Sequence, residues 1–151
     1  MTSAQTERRL GADLLRRFIA GEITNEQFHR SFPRSESDAA LKAIFRGAWV
    51  TYSDLREYRL VGKDVPSEEV RAILERCQLF LTTDLPFEWP EPKISLLSSI
   101  LNLFSFGSIA RRSEKRLREL GEVDYWPFIR KSDYMNALTQ APGNRTAASE
   151  S

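Results

Sequence analysis

Three prolines, Pro86, Pro90 and Pro92, fall within seven residues. No regular helix crosses such a segment, because each proline lacks an amide donor and its ring clashes with the preceding turn. The rest of the chain is mostly in helical periodicity, so Asp84-Leu-Pro-Phe-Glu-Trp-Pro-Glu-Pro92 predicts an extended strap pinned by Phe87 and Trp89. Seventeen residues without a charge follow, Ile94 to Ala110, in a chain that is 28% charged. A basic stretch comes next, with Arg111, Arg112, Lys115, Arg116 and Arg118. As a helix the uncharged run spans about 26 Å, short of the ~30 Å hydrocarbon core. It also carries Ser95, Ser98, Ser99, Asn102, Ser105 and Ser108. A helix over 94–106 in the centre of a bundle is the expectation, with interfacial membrane association of 94–110 as the alternative.

Upstream, Leu10, Leu14, Leu15, Phe18 and Ile19 share one helical face and Gly21 marks a stop. Thr24-Asn-Glu-Gln27 has the spacing of a capping box, opening a short helix that ends before Pro33. Leu41, Ile44, Phe45, Ala48, Trp49, Tyr52 and Leu55 form the next stripe, with Asp38 and Lys42 spaced for an i,i+4 pair. Pro66-Ser-Glu-Glu69 starts a helix whose buried face is Val70, Ile73, Leu74, Cys77, Phe80 and Leu81, leaving Leu79 on the polar side. A helix at 113–120 ends at Gly121. Glu122 to Ile129 is β-prone but contains Pro127, and predicts a second strap with a minor β element at 122–126. Ser132 is placed to cap a last short helix, and 140–151 has the composition of a disordered tail.

The chemistry narrows by elimination. One histidine, His29, and one cysteine, Cys77, are too few for a zinc site, and no loop alternates acids like an EF-hand. The seven glycines are scattered, with no phosphate-cradling motif. No cofactor or metal is expected. His29 reads as a helix-end residue and Cys77 as a core thiol rather than a catalytic pair. A net charge of +1 is not that of a general nucleic-acid binder. Without an internal disulfide or an apolar leader, the reading is cytoplasmic.

The stretches Gly21-Glu-Ile-Thr-Asn-Glu-Gln-Phe28, Tyr52-Ser-Asp-Leu55, Arg76-Cys-Gln-Leu-Phe-Leu-Thr-Thr-Asp84 with Glu88-Trp-Pro90, and Trp126-Pro-Phe-Ile-Arg-Lys131 resemble a family of small, mainly helical bacterial proteins with no established activity. The resemblance covers most of residues 10–138. It implies a single helical cytoplasmic domain and transfers no catalytic residue.

The expected fold is therefore mainly α: one domain over 1–139, five or six helices and two extended aromatic straps. The expected function is a non-enzymatic protein-binding module, by analogy of size an immunity-type protein that neutralises a partner. Asp84, Phe87, Glu88, Trp89, Tyr125 and Trp126 are its candidate exposed patch, since aromatics dominate interface energetics and Asp84, Glu88 and Glu91 would steer a basic partner. Two alternatives use other residues. Asp84 and Glu88 beside aromatic rings could act as acid and base in a small hydrolase-like enzyme. Arg111, Arg112, Lys115 and Arg116 could contact phosphates, although Glu114 and Glu119 interrupt that arc.

Overall fold

A computed structural model of the chain describes residues 2–51, 55–90 and 111–141, with the side chains of 49–51, 111–114 and 116 outside the description. The uncharged run 94–110, Glu91 and the tail from 142 lie outside the described residues. Six α-helices account for most of the remainder: α1 (Ser3–Ile19), α2 (Asn25–Ser31), α3 (Ala39–Thr51), α4 (Glu68–Leu81), α5 (Arg111–Leu120) and α6 (Lys131–Gln140). No strand occurs among the described residues. Where a β element was expected at 122–126 there is a 3-10 turn, Val123–Tyr125. Pro127 cannot continue a ladder. One hydrogen bond, from the Glu122 amide to the Ile129 carbonyl at 2.9 Å, closes that loop instead.

Each helix carries its own start or stop. Thr24 and Gln27 form the expected capping box, with reciprocal hydrogen bonds of 2.9 and 3.1 Å. A second box, Thr2 with Gln5, opens α1. At the far end of α1 the Glu22 amide donates to Arg17 and the Gly21 amide to Phe18, a Schellman ending. Gly21 has φ +71°, and a Cβ there would sit 2.6 Å from Val61 Cγ1, so glycine is required on both counts. Glu122 reaches across the second strap to accept the Lys131 amide at 2.6 Å and start α6. It takes the role expected of Ser132, because α6 begins one residue before that serine.

α1 and α4 make the most extensive helix pairing and run antiparallel: Arg8 reaches residues 83 and 85 beyond the end of α4, whereas Arg16 lies near Arg71 at its start. The face α1 buries is Gly11, Ala12, Leu14, Leu15 and Phe18; Leu10, expected on it, is 48% exposed. The displacement brings Gly11 inward, where a Cβ would lie 3.1 Å from both Leu41 and Leu81. Even a methyl group there would require the Leu41, Leu81 and Phe32 side chains to shift by a few tenths of an ångström. Phe18, Phe28, Phe32 and Phe45 form a continuous chain of ring contacts, with centroids 4.9 to 5.5 Å apart. Leu55, assigned by spacing to the α3 stripe, lies beyond the end of that helix and is exposed.

One polar group joins three of these elements. Arg8 donates to Asp38 through Nε at 2.6 Å and Nη2 at 3.3 Å, and to the carbonyls of Leu85 at 2.8 Å and Thr83 at 3.3 Å through Nη1. Its guanidinium also lies 5.7 Å from the centre of the Phe80 ring. Asp38 in turn accepts the Ala40 amide at 2.9 Å and the Leu41 amide at 3.4 Å, capping α3. This displaces the expected Asp38–Lys42 pair: Lys42 reaches Glu36 instead, at 3.6 Å. Burial alone would raise the Asp38 carboxyl, but the Arg8 hydrogen bond and charge, together with the two amides, hold it below the ordinary carboxylate range.

Removing one partner of such a pair strands the other charge. Arg8→Met is expected to lower stability by roughly 3 kcal/mol, read from the urea midpoint at pH 7. Because the Asp38 carboxyl is depressed in the native state, its contribution is complete above the unfolded value of about 3.9 and disappears as pH falls through the native value. The stability gap between wild type and Asp38→Asn should therefore narrow on acidification below about pH 4. A gap independent of pH, or an Arg8→Met variant as stable as wild type, would contradict the assignment.

Candidate partner-binding site

The two aromatic straps do not project; they lock onto each other. Trp89 donates its indole N–H to the Pro127 carbonyl at 3.1 Å, and Arg76 of α4 donates Nε to the Trp126 carbonyl at 3.1 Å. Phe80 presents its ring edge-on to Phe128 at 5.1 Å and to Phe87 at 6.2 Å. Tyr134 of α6 contacts Phe128 at 5.5 Å and Tyr125 at 5.6 Å. The expected exposed patch is thereby corrected at its centre: Trp89 is 6% and Trp126 4% exposed. A tryptophan can be buried once its N–H has an acceptor, and the other strap supplies one. Phe87 and Tyr125 are half-buried; Asp84 and Glu88 are exposed.

The carboxylates expected as an acid–base pair do not share a cavity. Asp84 lines a groove of about 790 Å³ whose mixed lining includes Arg9, Leu85, Asn136 and Ala137. Glu88 lines a smaller one of about 110 Å³ with Phe128 and Arg130. Asp133 borders both. Asp84 accepts from Gln5 Nε2 at 3.0 Å, and Glu88 lies 3.5 Å from Arg130, which also meets Asp133 at 3.5 Å. Both carboxylates are thus held in exposed polar contacts with different neighbours.

The remaining titratable candidates are accounted for locally. Cys77 is buried in the core and burial pushes its thiol up to about 12, so it is no nucleophile at neutral pH. His29 Nε2 lies 3.1 Å from Arg34 Nη2, and its ring 5.2 Å from Phe45. On α5, Lys115 is exposed and Arg118 lies 3.7 Å from Asp124, while Leu117 is buried. The side chains of Arg111, Arg112 and Arg116 lie outside the described residues.

A further recess runs along the outer side of α4. It measures about 510 Å³. Its base is the α4 face bearing Ala72, Glu75, Arg76 and Leu79; α1 forms one wall with Arg16 and Ile19, and α6 the other with Tyr134 and Leu138. The recess exists because α4 packs between α1 and α6, and Ala72 is too small to fill the space between them. Leu79, the residue off the buried stripe, packs partly against the core and forms the apolar base. No periodicity argument singles it out, because an isolated leucine on a polar face is common.

The strap junction is testable by removing its one indole donor. Trp89→Phe keeps most of the ring volume but leaves the Pro127 carbonyl without its indole partner, and should destabilise the protein by about 1–3 kcal/mol in urea unfolding. Cys77 should resist alkylation at pH 8 until the fold opens. Rapid labelling of the native protein, or an unchanged urea midpoint for Trp89→Phe, would contradict these burials.

No protein family, curated protein or solved structure matches this chain. Of the stretches quoted from the sequence, Gly21–Phe28 holds a helix stop and a capping box, and 76–90 with 126–131 hold the strap junction; 52–54 lie outside the described residues.

Proposed function

We propose that this chain is a non-enzymatic protein-binding module and that its partner docks along α4. The observation that carries this reading is the elongated recess whose base is one face of a helix and whose walls are two others. From Arg71 to Leu79 that base extends roughly 12 Å at 1.5 Å per residue, the footprint of about two helical turns. Such a shape suits a helix laid in a groove, where a few apolar anchors supply most of the affinity. The immunity-type role belongs to the same proposal: an inhibitor of this kind acts by covering its partner stoichiometrically, and needs a docking surface rather than a catalytic pair. The separation of Asp84 and Glu88 into different cavities weighs against the hydrolase alternative.

The test is affinity retention of partners from native extract on the immobilised chain. Leu79→Glu, with unchanged circular dichroism and unfolding midpoint, should lower retention of a specific 1:1 partner at least about tenfold, or ~1.4 kcal/mol. Asp84→Asn combined with Glu88→Gln should retain it as wild type does. Retention indifferent to Leu79→Glu would place the partner elsewhere. A turnover activity lost in the Asp84→Asn, Glu88→Gln variant would replace the module reading with the enzymatic one.

A further inference from the structure

We infer that the α4 recess takes an acidic amphipathic helix, its apolar stripe on Leu79 and its carboxylates on Arg71 and Arg76; the inference rests on the protein-binding reading above. Three guanidinium groups line the recess, Arg16, Arg71 and Arg76, against one carboxylate, Glu75. Arg16 is already engaged by Asp13 at 3.2 Å and Glu22 at 3.0 Å, and adds little to recognition. The other two are engaged only in part. Arg71 meets Glu75 through Nε at 2.9 Å, and Arg76 meets the Trp126 carbonyl through Nε at 3.1 Å. Their terminal nitrogens meet no acceptor among the described residues.

Their placement on α4 sets the pattern of the ligand. At about 100° per residue, Leu79 and Ala72 fall in the middle of the exposed arc, with Arg71 near one edge and Arg76 roughly 140° away at the other. The surface is thus an apolar stripe with a cation on each side. Its complement is a helix with apolar residues at i, i+3 or i+4, and i+7, flanked on both sides by Glu or Asp. Arg76 is half-buried and fixed at Nε, so its planar fork is oriented before a ligand arrives. A carboxylate can be received on its two terminal nitrogens, the strong form of this contact. Arg71, exposed and in a surface pair, is free to exchange Glu75 for a partner's carboxylate at little cost. A basic helix would meet Arg76, which faces no carboxylate, with only Glu75, already paired to Arg71, to answer its own charges, and an uncharged helix would leave Arg76 unused.

The experiment uses the full chain and two labelled peptides with the same Leu/Ala stripe, flanked by Glu in one and by Lys in the other, read by fluorescence anisotropy. The Glu peptide is expected to bind and the Lys peptide not to. Binding should weaken severalfold as salt rises from about 0.05 to about 0.5 M, since screening acts on the rim charges. Arg71→Gln and Arg76→Gln should each weaken it severalfold. Arg76→Gln also releases the Trp126 carbonyl, so if that variant fails to fold, Arg71→Gln decides the question. Equal binding of both peptides, both lost in Leu79→Glu, would leave a helix-accepting groove standing and overturn its acidic selectivity. Self-association that blocks the Glu peptide would make a second copy the occupant and overturn the inference. If neither peptide binds while a native partner still depends on Leu79, the acidic-helix inference falls and the module reading survives. If nothing depends on Leu79, the acidic-helix inference and the α4 docking site both fall.

Discussion

The guanidinium of Arg8 is the constraint on which the arrangement of this protein depends. A buried cation is costly to desolvate, and the cost is met only where geometry satisfies its donors. Here α1 carries the charge, the cap of α3 supplies the carboxylate, and the backbone just past α4 supplies two carbonyls. The three segments must therefore meet at one point, at one registry. Asp38 is committed twice, to Arg8 and to the first amides of α3, so loosening either contact exposes the other. The hydroxyls of Thr82 and Thr83 fold back onto the carbonyls of Leu79 and Phe80, ending α4 where Arg8 can reach the residues beyond it.

The described segments C-terminal to α4, residues 82–90 and 111–141, inherit that orientation. The chain leaves Thr83 as a strap, and its direction brings Trp89 onto the Pro127 carbonyl. The second strap is held to α4 by Arg76 and to α6 by the ring contacts of Tyr134. α6 is thereby held alongside α4, and the space between α1, α4 and α6 is a consequence of these fixed distances. A recess framed by three helices tied to one another in this way is pre-formed. A partner docked there as proposed would spend little of its binding free energy on ordering the site, which is how preorganisation raises affinity.

Local signals carried much of the fold. The spacing at 70–81 and the Thr24–Gln27 box are readable because each depends on residues within one or two turns. The prolines that break helix at 86–92 are equally local. Misreadings arose where a distant residue competed. Asp38 looked like a partner for Lys42 until Arg8, thirty positions away, took it. Asn25, inside the Thr24–Gln27 box, is buried, with its side chain bonded to the Arg56 carbonyl and the Tyr58 amide, contacts more than thirty positions away. The tryptophans of the straps read as exposed anchors because nothing local shows that one strap offers a carbonyl to the other. In the sequence Leu79 is an off-stripe leucine and Arg76 one arginine among many. Their significance lies in what α1 and α6 do on either side, and no single-segment pattern contains that.

The most direct measurement is the side-chain Nε–H of Arg8, observed by ¹⁵N-resolved NMR at pH 7. Held against the Asp38 carboxylate in a half-closed site, it should give a resolved resonance shifted from the free-arginine position, exchanging slowly with water and disappearing as Asp38 is protonated. An Arg8 Nε–H that exchanges as fast as those of surface arginines, with the protein fully folded, would contradict the claim that this ion pair organises the structure.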